Sequence, residues 1–555
     1  MRDKLEKIVL QAAKNAYATG ELTSDAFGDV VIEEPKVSSH GDFATNFALS
    51  GASTQKMPPR KIAEAIIRHL EDPEKIIRET QIAAPGFINF FISPQAWLPF
   101  LREVHEKEAL FGAVNIGMGR RIQVEFVSAN PTGPLHVGHG RGAVVGDTLA
   151  SILNFCGFIA DREYYINDAG RQIRTLGSSV YFRCRELAGN KIDFPDDAYQ
   201  GEYIYEIATD LMNEKKEALF SMEREKAIDL CARYAADKIL ENIRTDLENL
   251  GIGFDTWFSE QSLYASGKVE EAIRIAKEKN LAYESEGAVW FKSSLFGDEK
   301  DRVIVRGNGM TTYFASDIAY HMDKYGRGYD RVIDVWGADH HGYVARLTAA
   351  ITAMGYKPEQ FRVVLAHLVN LVREGIPVSM STRAGQFVTL REVVDEVGAD
   401  AARFIFLTRH HESPLDFDLE LAKQKTNDNP VYYVQYVYAR ISSIMKKAAA
   451  EYDIRISDAG KGPLDRLTEP EEIQLMKHVA RYPEVIAGAA KMMEPHRVAY
   501  YLMELAAAFH AYYNKHRVLS EDTEVSINRL YLVTAVRTVI GNGLTLLGVS
   551  TPETM

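Results

Sequence analysis

The sequence has few cysteines, no long apolar run and no excess of positive charge. Its three cysteines, Cys156, Cys184 and Cys231, lack metal-ligand spacing and cannot all pair, which suits a reducing cytoplasm. No apolar run reaches the roughly 18 residues that a transmembrane helix needs, so we expect no membrane span. The net charge of −13 argues against indiscriminate nucleic-acid binding, but local basic residues could still hold a specific RNA.

The composition that remains is typical of a large globular protein. Hydrophobic residues make up 46% and charged residues 25% of the chain, which excludes a mainly disordered chain or a collagen. A length of 555 residues is too great for one ordinary domain. The opening residues, MRDKLEKIVLQAAKNA, mix both charge signs with spaced apolar residues and predict an amphipathic helix rather than a signal peptide.

Changes of pattern along the chain predict a multidomain α/β protein. Residues 1–112 combine the opening helix with an aromatic strand, APGFINFFIS, which favours a small α+β module. Residues 113–385 alternate strands and helices from the period-2 strand RIQVEFV onward, which predicts a parallel sheet with a helical insertion at about 170–285. A connecting helical segment, 386–425, then leads to an all-helical bundle at 426–555.

The helix predicted after Pro430 has two different faces. Its apolar face, suited to a bundle core, contains Val434, Val437, Ile441 and Ile444. The opposite face carries aromatic and basic side chains, those of Tyr432, Tyr436 and Arg440.

The strongest chemical motif is the segment from Asn130 to His139, which lies between a predicted strand and a predicted helix. His136 and His139 at a helix start can donate to phosphate oxygens, and Gly138 lets a nucleotide approach the backbone. The alternative is a turn in which one histidine only caps the helix. The position at the carboxyl end of a strand favours ligand binding, because ligands bind there in open α/β sheets.

The chain resembles the arginyl-tRNA synthetases of bacterial type, a family of class I aminoacyl-tRNA synthetases. HVGH matches the HIGH motif of that class, and the resemblance covers nearly the whole chain. It is carried by HGDFATNFAL, EFVSANPTGPLHVGHGRGAVVGD, YYINDAGRQI, TTYFASDIAYH, GADHHGYVARL, MSTRAGQFVTLREVVDEVGADAARF and NPVYYVQYVYAR. The resemblance implies a Rossmann-type catalytic domain at 113–385, a tRNA-elbow-binding module at 1–112 and an anticodon-binding bundle at 426–555.

The resemblance also implies the reaction and its partners. Such an enzyme activates L-arginine with ATP and Mg²⁺ and esterifies the 3′-terminal adenosine of its tRNA, releasing AMP and pyrophosphate. We expect a cytoplasmic monomer with no redox cofactor and no metal held by the protein. Arginine binding is expected from Glu125, Ser128, Asn130, Tyr313 and Asp317. Carboxylates suit a planar guanidinium, although Glu125 and Asp317 alone could be a surface residue and a helix cap.

Further nucleotide contacts are expected from two other segments. Gly337, Asp339 and His340 follow the apolar strand RVIDVW and could meet the adenosine, or could form only a turn. Met380 and Ser381 stand where the family has its second motif, KMSK.

Neither lysine of that second motif is present in this chain, since Ser379 and Thr382 occupy their places. The compensating lysine that some members carry before the HIGH motif is Gly133 here. A cation must still stabilise the charge on the α-phosphate, and Arg383 is our candidate, with Arg141 as a weaker one.

The tRNA contacts implied by the resemblance are aromatic and amide side chains. Phe87 and Asn89 alternate onto one face of their strand, so either both face the tRNA elbow or one is a buried polar group. Tyr432, Tyr436 and Arg440 could stack on anticodon bases, or the tyrosines could pack half-buried against other helices.

Two other functions remain open at this stage. A class I enzyme for another amino acid would leave Glu125 and Asp317 buried without a cationic ligand, which is unfavourable. A non-catalytic relative that binds tRNA or arginine is suggested by the missing lysines, although both motif histidines are retained.

Arg383→Ala should reduce arginine activation while leaving arginine binding nearly unchanged, because the guanidinium would act on the phosphate and not on the amino acid. Arginine-dependent pyrophosphate exchange measures activation, and equilibrium dialysis measures binding. Full exchange activity in the variant would make Arg383 a structural residue.

Overall fold

A computed structural model describes residues 1–378, 388–455, 460 and 462–555. The chain forms two compact units, each built from several segments. The first unit consists of Met1–Phe111, Ile441–Tyr482 and Ala507–Val539. The second unit consists of Gly112–Arg440, Pro483–Ala506 and Ile540–Met555.

The N-terminal part of the first unit is a four-stranded antiparallel sheet covered by helices. The strands, in spatial order, are Ile32–Glu33, Phe43–Thr45, Phe87–Ile92 and Ile77–Ala83. The helices are Arg2–Ala18, Phe47–Ser50, Ala52–Gln55, Pro59–Arg68 and Leu98–Lys107. The first helix buries Leu5, Val9 and Ala16 at helical spacing, as the amphipathic pattern predicts.

The second unit is built on a five-stranded parallel sheet, which confirms the predicted fold class. Its strands, in spatial order, are Phe361–Ala366, Arg331–Gly337, Arg121–Glu125, Ile159–Ile166 and Thr256–Ser259. The chain leaves the central strand Arg121–Glu125 toward one edge and later returns on its other side at Arg331–Gly337. Ligands bind at such a change of direction in open α/β sheets.

Helices and two small sheets surround this parallel sheet. The helices are Val137–Phe155, Arg171–Leu187, Glu202–Ser221, Arg224–Asn249, Glu260–Ala265, Lys268–Glu278, Tyr313–Gly326, His341–Met354, Leu390–Val397, Ala399–Phe406 and Leu419–Lys423. The small sheets are Arg302–Val305 with Ala288–Phe291 and Ala282–Ser285, and Ile376–Pro377 with Val369–Arg373 and Leu415–Asp418. The strands Ala288–Phe291 and Arg302–Val305 therefore belong to a separate antiparallel sheet and do not extend the parallel sheet.

The C-terminal region is helical, and among the described residues no strand follows Asp418. Its long helices are Pro430–Glu451, Pro470–Met492, His496–Lys515 and Thr523–Leu546. The predicted apolar face of the first of them is buried, with Val434 and Val437 completely inaccessible. None of the described helices is long and apolar enough to cross a membrane.

A buried arginine fixes the helix that carries HVGH within the second unit. Arg403 is 1% exposed and donates to the Leu547 carbonyl at 2.7 Å and the Leu250 carbonyl at 3.0 Å. It also donates to the Asp147 carboxylate, on the helix Val137–Phe155, at 2.5 Å. One guanidinium therefore joins three distant parts of the chain.

Arg403→Ala should lower the free energy of unfolding by about 3–5 kcal/mol, because it leaves buried acceptors without their donor. Arg60→Ala, which breaks an exposed pair with Glu64, is the matched control and should change stability by less than about 1 kcal/mol. Urea unfolding followed by circular dichroism compares the two. Equal small losses would show that the Arg403 contacts contribute little.

Candidate active site

A cavity of about 370 Å³ lies where the central strands Arg121–Glu125 and Arg331–Gly337 end. This is the carboxyl edge of the parallel sheet at its change of direction, where a ligand site is expected. Residues predicted from the sequence that line the cavity are Glu125, Ser128, Asn130, Tyr313, Asp317, Gly337 and His340.

A buried lysine, which the sequence analysis missed, lies under this cavity. Lys324 is completely inaccessible, and its Nζ lies 2.5 Å from Glu125 Oε2 and 2.9 Å from Asp334 Oδ1. Glu125 and Asp334 are direct partners on neighbouring strands, so their carboxylates would repel each other without Lys324. Burial raises the pKa of Glu125, while Lys324 opposes that shift.

His321 completes this buried cluster. Its Nδ1 lies 2.8 Å from the Asp317 carbonyl oxygen and its Nε2 lies 3.0 Å from Asp334 Oδ2. Both partners are hydrogen-bond acceptors, so the ring is held between the helix backbone and the strand carboxylate.

Asp317 is the remaining carboxylate of the cavity. It accepts a hydrogen bond from the Tyr343 hydroxyl, and within the described residues no lysine or arginine pairs with it. Burial raises the pKa of Asp317, and the Tyr343 hydroxyl opposes that shift. Glu125, Asp334 and Asp317 face one lysine, Lys324, among the described residues, so the cavity carries an excess of negative charge, which a cationic ligand would balance. The sequence analysis expected Glu125 to need a cationic ligand, and this is corrected because Glu125 is already paired with Lys324.

The chain that leaves the central strand has an unusual backbone. Val127 and Ser128 have φ values of 66° and 42°, in a region that residues with side chains seldom adopt. Ser128 Oγ donates to Glu125 Oε1 at 2.8 Å and accepts from the Tyr165 backbone N–H at 3.1 Å. These bonds hold the turn in the conformation that points Glu125 into the cavity. Such strain is concentrated at functional sites.

Asn130 and Tyr313 lie at the edge of the cavity. Asn130 Nδ2 donates to Gln172 Oε1 at 2.7 Å. Tyr313 is the first residue of the helix Tyr313–Gly326 and is 56% exposed, so its ring lies at the mouth of the cavity. Asp317, one turn further along that helix, is buried. Tyr313 therefore lies at the mouth of the cavity, and Asp317 lies deeper inside it.

The two histidines of HVGH form an interlocked pair. His136 Nδ1 accepts the Gly138 backbone N–H at 3.1 Å, and His139 Nδ1 accepts the His136 backbone N–H at 3.2 Å. Their rings stack with centroids 3.7 Å apart at the start of the helix Val137–Phe155. Burial lowers the pKa of His136 and lowers that of His139 to about 3. Both rings are therefore neutral at pH 7, with the proton on Nε2.

This arrangement makes two neutral N–H donors at a helix N-terminus, which suits phosphate oxygens. At Gly138 an added Cβ would lie 3.0 Å from the His136 ring, so a side chain there would displace that ring. Across the cavity edge, Asp339 is exposed and lies 3.3 Å from His340 Nε2. Burial lowers the pKa of His136, and the negative charge of Asp339 opposes that shift. The turn that contains Asp339 therefore lies near the HVGH segment.

The second predicted motif cannot be located, because Met380, Ser381 and Arg383 lie outside the described residues. The residues after it are tied to HVGH, since Thr389 pairs with His136 and the Leu390 N–H donates to the Leu135 carbonyl at 2.7 Å.

Arg141 is not a suitable cation for the phosphates, which corrects the weaker of our two candidates. It is completely buried, and its guanidinium donates to the carbonyls of His367, Ser413 and His410. Because these acceptors hold it in place, its role is structural.

Of the predicted tRNA-binding residues, Phe87 is 37% exposed whereas Asn89 is 4% exposed. Asn89 lies between Ala44 and Gln81 of the neighbouring strands, so the pair contains a buried polar group, one of the two alternatives. Base recognition by the Asn89 amide would need a local opening of the sheet.

Tyr432, Tyr436 and Arg440 form a half-buried row on one helix. The tyrosine rings stack with centroids 6.1 Å apart, and the Arg440 guanidinium lies 5.1 Å from the Tyr436 centroid. Arg440 also donates to the Tyr436 hydroxyl. The row offers stacking surface, while its contact with tRNA stays a prediction.

A helical pattern could have revealed the missed cluster. Asp317, His321 and Lys324 are spaced at i, i+4 and i+7 in DIAYHMDK, which is the spacing of a core-facing stripe. Polar residues at such spacing indicate a buried polar network. Asp334, within the apolar run RVIDVW, gives the same signal from the strand.

Three family models match the chain in series. They are the arginyl tRNA synthetase N terminal domain at residues 3–92, the class I (R) tRNA synthetase catalytic domain at 104–415 and the DALR anticodon binding domain at 434–555. The chain is similar to the arginine–tRNA ligase of Desulfosudis oleivorans, with 60% identity over 556 residues and 100% of both chains covered. It is 50% identical to that of Syntrophotalea carbinolica over 555 residues, again with 100% of both covered.

A solved structure shows the same fold at a greater distance. Thermus thermophilus arginyl-tRNA synthetase superposes with a TM-score of 0.77 at 24% identity, with 100% of both chains covered.

Glu260 beside the cavity should make stability depend on pH. It is 3% exposed, and burial, with added repulsion from Asp317 and Asp168, raises its pKa to about 7. Its stabilising contribution is therefore present below about pH 4.5 and is lost as the pH rises through 7. Glu260→Gln keeps the neutral form, so its unfolding free energy should exceed that of the wild type by about 2 kcal/mol at pH 8 but not at pH 5.

Urea unfolding at pH 5, 6, 7 and 8 measures this difference. Glu299→Gln, at an exposed carboxylate, is the control and should give a curve parallel to the wild type. A Glu260→Gln curve that is also parallel would contradict the raised pKa.

Proposed function

Because this chain belongs to the arginyl-tRNA synthetase family, we propose that the cavity between Glu125 and Asp317 is its arginine site. The enzyme is a class I arginine–tRNA ligase. It activates L-arginine with ATP to arginyl-adenylate and transfers the arginyl group to the 3′-terminal adenosine of its tRNA, giving AMP and pyrophosphate.

The observation that supports this site is the excess of negative charge at Asp317, which pairs with no lysine or arginine among the described residues. The arginine guanidinium would donate two parallel hydrogen bonds to Asp317, which the Tyr343 hydroxyl orients. The exposed Tyr313 ring would cover the bound side chain at the mouth. Asn130 and Ser128, at the opposite edge, are proposed to hold the α-amino group.

The nucleotide would lie along HVGH. The Nε2–H groups of His136 and His139 would donate to phosphate oxygens, and Gly138 would allow the close approach. Gly337, Asp339 and His340 would meet the adenosine, with Asp339 or His340 reaching the ribose hydroxyls. Met380, Ser381 and Arg383, which lie outside the described residues, are proposed to bind the phosphates. Two neutral imidazoles offer no anionic ligand, so we expect Mg²⁺ to enter with the nucleotide and to neutralise phosphate charge.

These groups act by positioning and electrostatics. The arginine carboxylate attacks the α-phosphate of ATP, and the Nε2–H donors stabilise the charge that builds on the phosphate oxygens. Neither this activation step nor the transfer of the arginyl group to the tRNA needs a nucleophile from the protein. The neutral state of both histidines keeps them as donors across the neutral pH range, because their pKa values are lowered by burial.

The tRNA would be held by the flanking regions. We assign the elbow to residues 1–112 with Phe87 and Asn89, and the anticodon to 426–555 with Tyr432, Tyr436 and Arg440. The limits 113–385 for the catalytic domain and 386–425 for the connection belong to the same proposal. We also propose that the enzyme acts as a monomer. We place the enzyme in the cytoplasm, where tRNA is charged.

Asp317→Asn should raise the KM for arginine about 100-fold, because it removes the charge that pairs with the guanidinium. The KM for ATP should stay within about twofold, and aminoacylation of tRNA with labelled arginine measures both. Asp196→Asn, at an exposed carboxylate, is the matched control and should behave as the wild type. An unchanged KM for arginine in Asp317→Asn would place the guanidinium elsewhere.

A further inference from the structure

Three histidines converge inside the second unit at a place that the arginine site does not use. His410 and His411 lie in the turn after the helix Ala399–Phe406, and His496 begins the helix His496–Lys515. One donor nitrogen from each ring lies within 4.8 Å of the other two. The His410 ring centroid lies 4.3 Å from that of His411 and 4.8 Å from that of His496.

Two of these imidazoles are buried with an unsatisfied nitrogen. His411 is 7% and His496 is 8% exposed. The Nδ1 atoms of both are inaccessible and have no hydrogen-bond partner within the part of the chain that the structure describes. An unsatisfied buried polar atom costs about 1–3 kcal/mol, so a converging pair of them calls for a specific ligand.

Imidazole is a common side-chain ligand for transition metals and binds through the lone pair of one ring nitrogen. His411 and His496 each have an inaccessible ring nitrogen with no other partner among the described residues, so each can contribute one donor atom.

A carboxylate lies beside the three rings but outside the group of converging donor atoms. Glu494 Oε1 lies 3.5 Å from His410 Nε2, and Glu494 also pairs with Arg497. The other charge facing the cluster is that of Arg141, which donates to the His410 carbonyl.

His410 has a different state from the other two rings. Its Nδ1 accepts the Glu412 backbone N–H at 3.1 Å, so the neutral ring carries its proton on Nε2, toward Glu494. Ligation through Nε2 would therefore move the ring proton to Nδ1 and break the hydrogen bond from the Glu412 N–H, so that the ring stays neutral.

We propose that His410, His411 and His496 form a binding site for a divalent transition-metal ion of the zinc class. Three imidazoles, with a water molecule in the fourth position, are a donor set that Zn²⁺ accepts in tetrahedral geometry. The site is separate from the arginine cavity and takes no part in adenylation. It revises the expectation of no protein-held metal, which rested on sequence spacing alone.

The place of the site suggests its effect. The same turn supplies the His410 and Ser413 carbonyls to Arg141, on the helix that carries HVGH. A metal ion would cross-link this turn to the helix His496–Lys515 and so fix the support of the nucleotide-binding motif.

The test is zinc binding by the full chain, measured as competition with a chromophoric chelator at pH 7.5. The wild type should bind one Zn²⁺ in this site, and its melting temperature should rise with added Zn²⁺. His411→Gln with His496→Gln should weaken the binding about 100-fold and abolish the thermal shift. His40→Gln, at an exposed histidine outside the cluster, should leave both unchanged.

Binding that is equal in the wild type and the double variant would overturn the proposal, as would no binding by the wild type. Loss of binding in His516→Gln alone would also overturn it, because it would place the ion at Glu469, Glu471 and His516. If the double variant does not fold, His410→Gln decides with Co²⁺ as the probe. The visible bands of tetrahedral Co²⁺ should shift or disappear in that variant, and bands identical to those of the wild type would overturn the proposal.

Discussion

The Lys324 ammonium ion, buried between two strand ends, is the contact on which the rest of the site depends. Glu125 and Asp334 face each other across neighbouring parallel strands, and their charges could not both be buried there alone. Lys324 makes that pairing possible and is in turn held by it. Removing one partner of such a group leaves an uncompensated buried charge, which costs several kcal/mol. The two ion pairs of Lys324 therefore oppose any movement that would separate the two strand ends.

This constraint separates the proposed site into two electrostatic halves. The amino-acid half carries an excess negative charge at Asp317, whereas the nucleotide half offers neutral N–H donors and a helix N-terminus. A cation and a polyanion are thus drawn to adjacent places on one sheet edge. Because the halves meet at the carboxyl ends of two strands, small rotations of the sheet would disturb both together.

Much of this could be predicted from the sequence, because local spacing carries it. The strand before HVGH, the position of Glu125 at its end and the buried face of the helix after Pro430 all follow from periodicity. The partners of Glu125 could not be found this way, since Lys324 lies far along the chain and becomes its neighbour only when the strands pair. For Asn89, the alternation of the strand predicts which face of the sheet the side chain lies on. It does not predict that neighbouring parts of the chain bury that side chain.

The same limit applies to the histidine cluster, whose members come from two distant segments. The second class motif, at Met380, Ser381 and Arg383, lies outside the described residues, so the role of Arg383 remains a prediction from the sequence.

The proposed pairing of Asp317 with the guanidinium has a consequence for the accuracy of translation, because Asp317 pairs with no lysine or arginine among the described residues. Citrulline has nearly the shape of arginine but no charge, so in the proposed site it would leave the charge of Asp317 buried and unbalanced. Sites that pair a buried polar group with their substrate reject analogues lacking it by about 10⁴-fold or more in one step. Selection of that strength makes a second, hydrolytic proofreading step unnecessary for such competitors.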